Sequence, residues 1–116
     1  MLFASDRITF ESAEQKYHAV TTASGNRLSR GFCPNCGSPV SARWEGNPMY
    51  TRLRAIHAGS LDDPSKFSPT FEDWVSRSYS WHAFLPETQK FDEKPTPEAF
   101  RDRVEAYFDA RRIAGT

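Results

Sequence analysis

Two β-rich stretches, residues 28–32 and 39–44, are joined by Cys33-Pro34-Asn35-Cys36-Gly37-Ser38, and this turn restricts the fold more than any other part of the sequence. A Cys-x-x-Cys pair can converge only if the connection is tight. Pro34 pre-sets one φ angle, and Gly37 tolerates the positive φ that such a turn often needs. Two thiolates at this spacing reach one Zn²⁺ at about 2.3 Å each, and the turn's backbone N–H groups can stabilise the sulfur charge. Structural zinc takes four ligands, so the pair is half of a site. These are the only two cysteines, and His18, His57 and His82 fall in no ligand spacing. Three readings of the pair stand side by side. It is half of a zinc site completed from elsewhere, including another chain. It is a redox dithiol, although such dithiols usually open a helix in a βαβ setting and here β segments flank the pair. Or it is free or oxidised and without function.

The surrounding pattern is β. Residues 8–10 and 17–22 are rich in β formers, and Ser24-Gly25-Asn26 predicts a turn into residues 28–32, making a hairpin. In residues 39–44, Val40, Ala42 and Trp44 share a face. Glu45-Gly46-Asn47-Pro48 predicts a turn. Residues 50–58 alternate, with Leu53, Ala55 and His57 on one face and Arg52, Arg54 and Ile56 on the other. Residues 59–69 read as a loop, residues 71–79 as a further strand, and residues 86–97 as irregular. Thr96 then suits an N-cap and Pro97 the first helical position, while Phe100, Val104, Tyr107 and Phe108 form one apolar stripe. The expectation is a single mostly β domain over residues 1–95, a small antiparallel sheet or sandwich, with an amphipathic helix over residues 96–113 packed on it or on a partner chain.

Fifteen basic and fifteen acidic residues balance, which gives no electrostatic reason to expect nucleic acid or a membrane surface as partner. No apolar run approaches a membrane span, and the first ten residues lack a signal-peptide core, so the expected location is cytoplasmic. His57 and His82 are expected as hydrogen-bonded core or rim residues rather than ligands. Asp62 and Asp63 are expected to bond nearby backbone N–H groups. Arg52 and Arg54 could hold a carboxylate such as glutathione's, or simply form a solvated strand face. Trp74 and Trp81 are expected in the core, the alternative being a small-molecule site with the 59–69 loop.

The string Arg30-Gly31-Phe32-Cys33-Pro34-Asn35-Cys36-Gly37-Ser38 resembles a segment of the GFA family, which comprises the glutathione-dependent formaldehyde-activating enzyme and the centromere protein V domain. Gly59-Ser60-Leu61-Asp62-Asp63-Pro64 is similar to the family's Leu-Asp-Asp-Pro loop, and Trp81, Leu85-Pro86 and Phe91-Asp92 follow in its order. The resemblance covers about residues 1–95. It implies a zinc-built antiparallel β fold and carbon–sulfur lyase chemistry on the adduct of glutathione and formaldehyde. It also implies that Cys33 and Cys36 are metal ligands. The family's other structural pair, Cys-x-Cys, and its catalytic Cys-x-Cys-x-x-Cys cluster are absent from these 116 residues, so no catalytic residue carries over. A two-fold homodimer bringing two knuckles together would supply four thiolates to one zinc.

Overall fold

In a computed structural model, residues 1–10 and 15–113 are described. The chain divides into two compact units, residues 1–68 and 69–116. The first unit is an antiparallel five-stranded sheet in the order β1-β5-β4-β3-β2, built from β1 (Leu2–Ala4), β2 (Lys16–Thr21), β3 (Arg27–Phe32), β4 (Pro39–Glu45) and β5 (Leu53–Ile56). A short helix, α1 (Pro48–Thr51), lies between β4 and β5.

Local chemistry sets the three connections from β2 to β5. The β2–β3 hairpin closes with Thr22 N–H donating to Asn26 C=O at 2.8 Å, and Gly25 takes the left-handed φ of +85°. The β4–α1 turn has Asn47 accepting from Met49 N–H at 2.9 Å, with Pro48 at the first helical position, so α1 starts where its free N–H groups are met. The Trp44 and Tyr50 rings meet 5.8 Å apart across this turn.

Alternation gives the sheet two unlike faces. Ala4, Ala42 and Leu53 are buried on one of them. The registers Tyr17↔Gly31, Gly31↔Ser41 and Ser41↔Ile56 place the other, polar face, which also carries Ser29, Arg43, Glu45 and Arg54 by alternation. Ser29 and Ser41 are buried there. Ser41 satisfies its hydroxyl on Gln15 Oε1 at 2.7 Å, and Ser29 on Glu45 at 3.1 Å. Gly31 sits beneath this layer. A Cβ on it would lie 2.3 Å from Gln15 Oε1, 2.8 Å from Ser41 Oγ and 3.0 Å from Tyr17 Cε1.

The second unit holds a two-stranded parallel ladder of β6 (Phe71–Glu72) and β7 (Gln89–Lys90), followed by α2 (Pro97–Ile113). Thr96 Oγ1 accepts from Ala99 N–H at 3.2 Å, an N-cap worth about 1 kcal/mol. Phe100 and Val104 are buried, and Tyr107 and Phe108 are half-buried, so the apolar stripe is the helix's inward face. Glu72 organises the loop between the two strands. Its carboxylate accepts from Thr88 Oγ1 at 2.5 Å and Leu85 N–H at 3.2 Å, with Lys90 Nζ at 3.5 Å and His82 Nε2 at 3.7 Å. The Thr88 hydroxyl, then the Leu85 N–H and Lys90, hold the Glu72 carboxyl below its ordinary value of 4.5.

That depression has a testable sign. A carboxyl lowered in the folded state contributes stability that is present above pH 4.5 and is lost as pH falls through its folded value. Hydrogen exchange at the Leu85 and Phe91 amides should therefore stay protected down to about pH 4.5 and lose protection below it. Glu72→Gln should remove most of that pH dependence and weaken protection at neutral pH. Equal slopes in the two proteins would refute the assignment.

Three sequence expectations need correction. Residues 8–10 form no strand; the chain instead contributes Leu2–Ala4 to the sheet, followed by a single 3₁₀ turn over Ser5–Arg7. Residues 71–79 are a strand only at Phe71–Glu72, because Trp74 turns the chain with a left-handed φ of 56° into a 3₁₀ turn at Val75–Arg77. Trp81 is not core. It is 79% exposed and stacks on Tyr79, itself 70% exposed, with ring centroids 5.6 Å apart. Trp74 is half-buried under the Arg77 guanidinium.

Candidate metal centre at the Cys33–Cys36 knuckle

The end of β3 and the start of β4 are locked together at the knuckle. Cys33 N–H donates to Ser38 C=O at 2.9 Å, and Gly37 N–H donates back to Cys33 C=O at 2.9 Å. Gly37 has φ +76°, the left-handed conformation that closes so short a turn without Cβ strain. The register shifts at Gly31/Phe32, where the strands leave regular pairing and enter the turn.

Both cysteines are free; Cys33 is half-buried and Cys36 exposed. The Cys36 thiol lies 3.2 Å from Ser38 Oγ. The Ser38 hydroxyl first, then the Ser38 backbone and the Cys33 thiol, hold Cys36 below the ordinary thiol range against the opposing effect of desolvation. A thiolate supported by its own turn suits a soft, thiophilic cation. The donor set therefore fits zinc in chemical type and supplies half of the usual four ligands.

Beside the knuckle is an open depression of about 340 Å³, lined by Ser38–Val40 and by His57–Ser60. It lies where regular β4–β5 pairing ends: His57 N–H still donates to Val40 C=O at 2.9 Å, and the chain then turns as His57 C=O accepts from Ser60 N–H and Oγ–H. His57 lies just past the end of β5 and is exposed, lining the depression. His18 is exposed on β2, and His82 lies in the second unit beside Glu72. Among the described residues no group of three or more His, Cys, Asp or Glu side chains could hold a metal ion. Asp63 accepts from the Ser65 backbone N–H at 3.1 Å and from its hydroxyl, the turn role expected of it. The expected Arg52–Arg54 pair is split, because Arg52 ends α1 and only Arg54 stands on the sheet.

The family model of the glutathione-dependent formaldehyde-activating enzyme matches residues 1–77, which takes in the whole first unit and the knuckle. This chain belongs to the GFA family. No match was found among curated proteins. Of the polar face of this GFA chain's sheet, only Arg54 and Ile56 on β5 are expected from the sequence. Tyr17, Arg43 and Gln15 gather there, and the one available signal was the alternation of Ser41, Arg43 and Glu45 opposite the apolar set Val40, Ala42 and Trp44. No described helix is long and apolar enough to cross a membrane.

Proposed function

We propose that this chain works as a zinc-binding GFA domain in which Cys33 and Cys36 hold one zinc ion together with two ligands from outside the described residues. The pair belonging to a second copy of the chain is the simplest source, since it supplies the same soft donors with two-fold symmetry. Four thiolates would make that zinc structural, and the activity to test for in the assembly is the family's carbon–sulfur chemistry on an adduct of glutathione and formaldehyde, with the cytoplasm as the expected location. The observation that carries the reading is the knuckle itself: two free thiols on a turn closed by reciprocal backbone bonds, one of them held below the ordinary thiol range. Bound there, zinc would cross-link the knuckle. The thiolates would hold it, and the Ser38 hydroxyl would steady Cys36.

A second reading has an observation of its own. The described residues bring together no three-ligand group of the kind a catalytic zinc with an open position needs. On that reading the chain is a non-catalytic zinc-binding or oligomerisation module.

Zinc per chain, measured in freshly purified protein beside the solution mass, tests the site. The expected result is about half a zinc per chain in a dimer, the stoichiometry of four thiolates on one ion. No zinc with both thiols titratable would remove the metal site. The rate of glutathione–formaldehyde adduct turnover by the zinc-loaded protein then separates the enzyme from the module.

A further inference from the structure

We propose that the polar face of the five-stranded sheet carries an oxyanion site, in which Arg43 and Arg54 converge on Tyr17 to take a small carboxylate or phosphate ligand. The inference rests on the sheet and is independent of the zinc reading.

The β4–β5 register pairs Ser41 with Ile56 and Ala42 with Ala55. One step further along both strands, Arg43 and Arg54 stand across from each other on the same face. Like charges in that position destabilise a sheet. Here both guanidiniums are drawn onto one phenol. Arg43 lies over the Tyr17 ring, 4.2 Å from its centroid, and Arg54 Nη1 donates to Tyr17 Oη at 3.2 Å. Phe10 flanks Arg54 from another side at 5.4 Å. Arg54 is half-buried. Among the described residues no ion pair joins either arginine to a carboxylate. Glu45, the acid on the same face of β4, is already taken by Arg27 at 2.8 Å and by Ser29.

Arg54, partly desolvated and without a counter-ion among the described residues, is costly to hold, and the exposed Arg43 beside it adds like-charge repulsion. An oxyanion between them removes both costs. The geometry leaves the means to bind one. Stacking on a ring uses a guanidinium's face and leaves its in-plane N–H fork free, and Arg54 spends one of five donors on Tyr17. Gln15 adds an independent sign. Its Oε1 accepts from Ser41, while its Nε2 is buried with no hydrogen-bond partner among the described residues. A Cβ built on Gly31 would touch both Gln15 Oε1 and Tyr17, so the unspent amide belongs to the same layer. Two guanidiniums and an amide make a planar-oxyanion donor set.

The test uses the full chain, with inorganic phosphate and succinate as probes and sodium chloride at matched ionic strength as control. Calorimetry should show saturable binding of at least one probe, with the Arg43 and Arg54 Nε–H resonances shifting together. Preference for phosphate would identify a phosphoryl ligand, and preference for succinate a carboxylate. Arg54→Gln and Arg43→Gln should each weaken binding tenfold or more. In anion-free buffer Arg43→Gln should melt no lower than the parent, because it removes a like-charge neighbour, yet lose the rise in melting temperature that the anion gives. Should Arg54→Gln fail to fold, the exposed Arg43 variant still decides. The proposal is overturned if neither probe binds, if chloride reproduces the effect, or if the arginine variants bind unchanged.

Discussion

Gly31→Ala should lower the melting temperature by roughly 10 °C, the shift that about 2 kcal/mol produces in a domain of this size. A methyl at this position meets two side-chain oxygens at less than 3.0 Å. Gln15 is long and can swing away. Doing so breaks its bond to Ser41, whose residue is 0% exposed and whose hydroxyl bonds no other group among the described residues. A buried hydroxyl left unsatisfied costs about 1–3 kcal/mol. Staying put instead forces overlap, at about the same cost. Against this, alanine gains about 0.4–1 kcal/mol by restricting the unfolded chain where the backbone tolerates it. The balance remains unfavourable. Thermal unfolding of the purified variant checks it, and a melting temperature equal to the parent's would mean that the Gln15–Ser41–Tyr17 layer yields freely.

Cys36→Ser should take zinc from about half an ion per chain to background and convert the dimer to monomer, on the shared-zinc reading of the knuckle. Serine keeps the size of the side chain and can still bond Ser38, so the turn itself should persist. Backbone closure rests on Cys33 N–H to Ser38 C=O and on the left-handed Gly37, neither of which involves the Cys36 sulfur. A folded, zinc-free monomer is therefore the expected product, seen by metal analysis and light scattering. A variant that keeps both its zinc and its mass would show that the ion sits elsewhere.

The parts of the fold that could be read in the sequence are those written in local chemistry. Ser24-Gly25-Asn26, the knuckle with Gly37, and Thr96-Pro97 each name their own backbone conformation, and the hairpin, the turn and α2 follow. Partner choice is not local. Residues 8–10 have better β formers than Leu2–Ala4, yet it is the latter that finds an open edge on β5. Trp74 broke an expected strand because a left-handed tryptophan runs against backbone preference and is held from outside by its N–H to Glu93 C=O at 2.7 Å. Trp81 looked like core because large aromatics usually are, and only the surface shows otherwise. At the candidate metal centre, Cys33 and Cys36 were legible by spacing. The convergence of Arg43 and Arg54 was not, because it depends on the register between two strands that a turn and a short helix separate.

The order of strands in the sheet also bears on how it assembles. From β2 to β5 each strand pairs with the next along the chain, so this kernel needs only short closures. β1 is different: Leu2 lies beside Ala55, and its three-residue ladder has to close a loop of nearly the whole unit. Chain entropy penalises that step most and local contacts reward it last. Pairing of β1 is thus the step expected last. The same strand, carrying the buried Ala4, is the one whose release bares the β5 edge while leaving the other four strands paired.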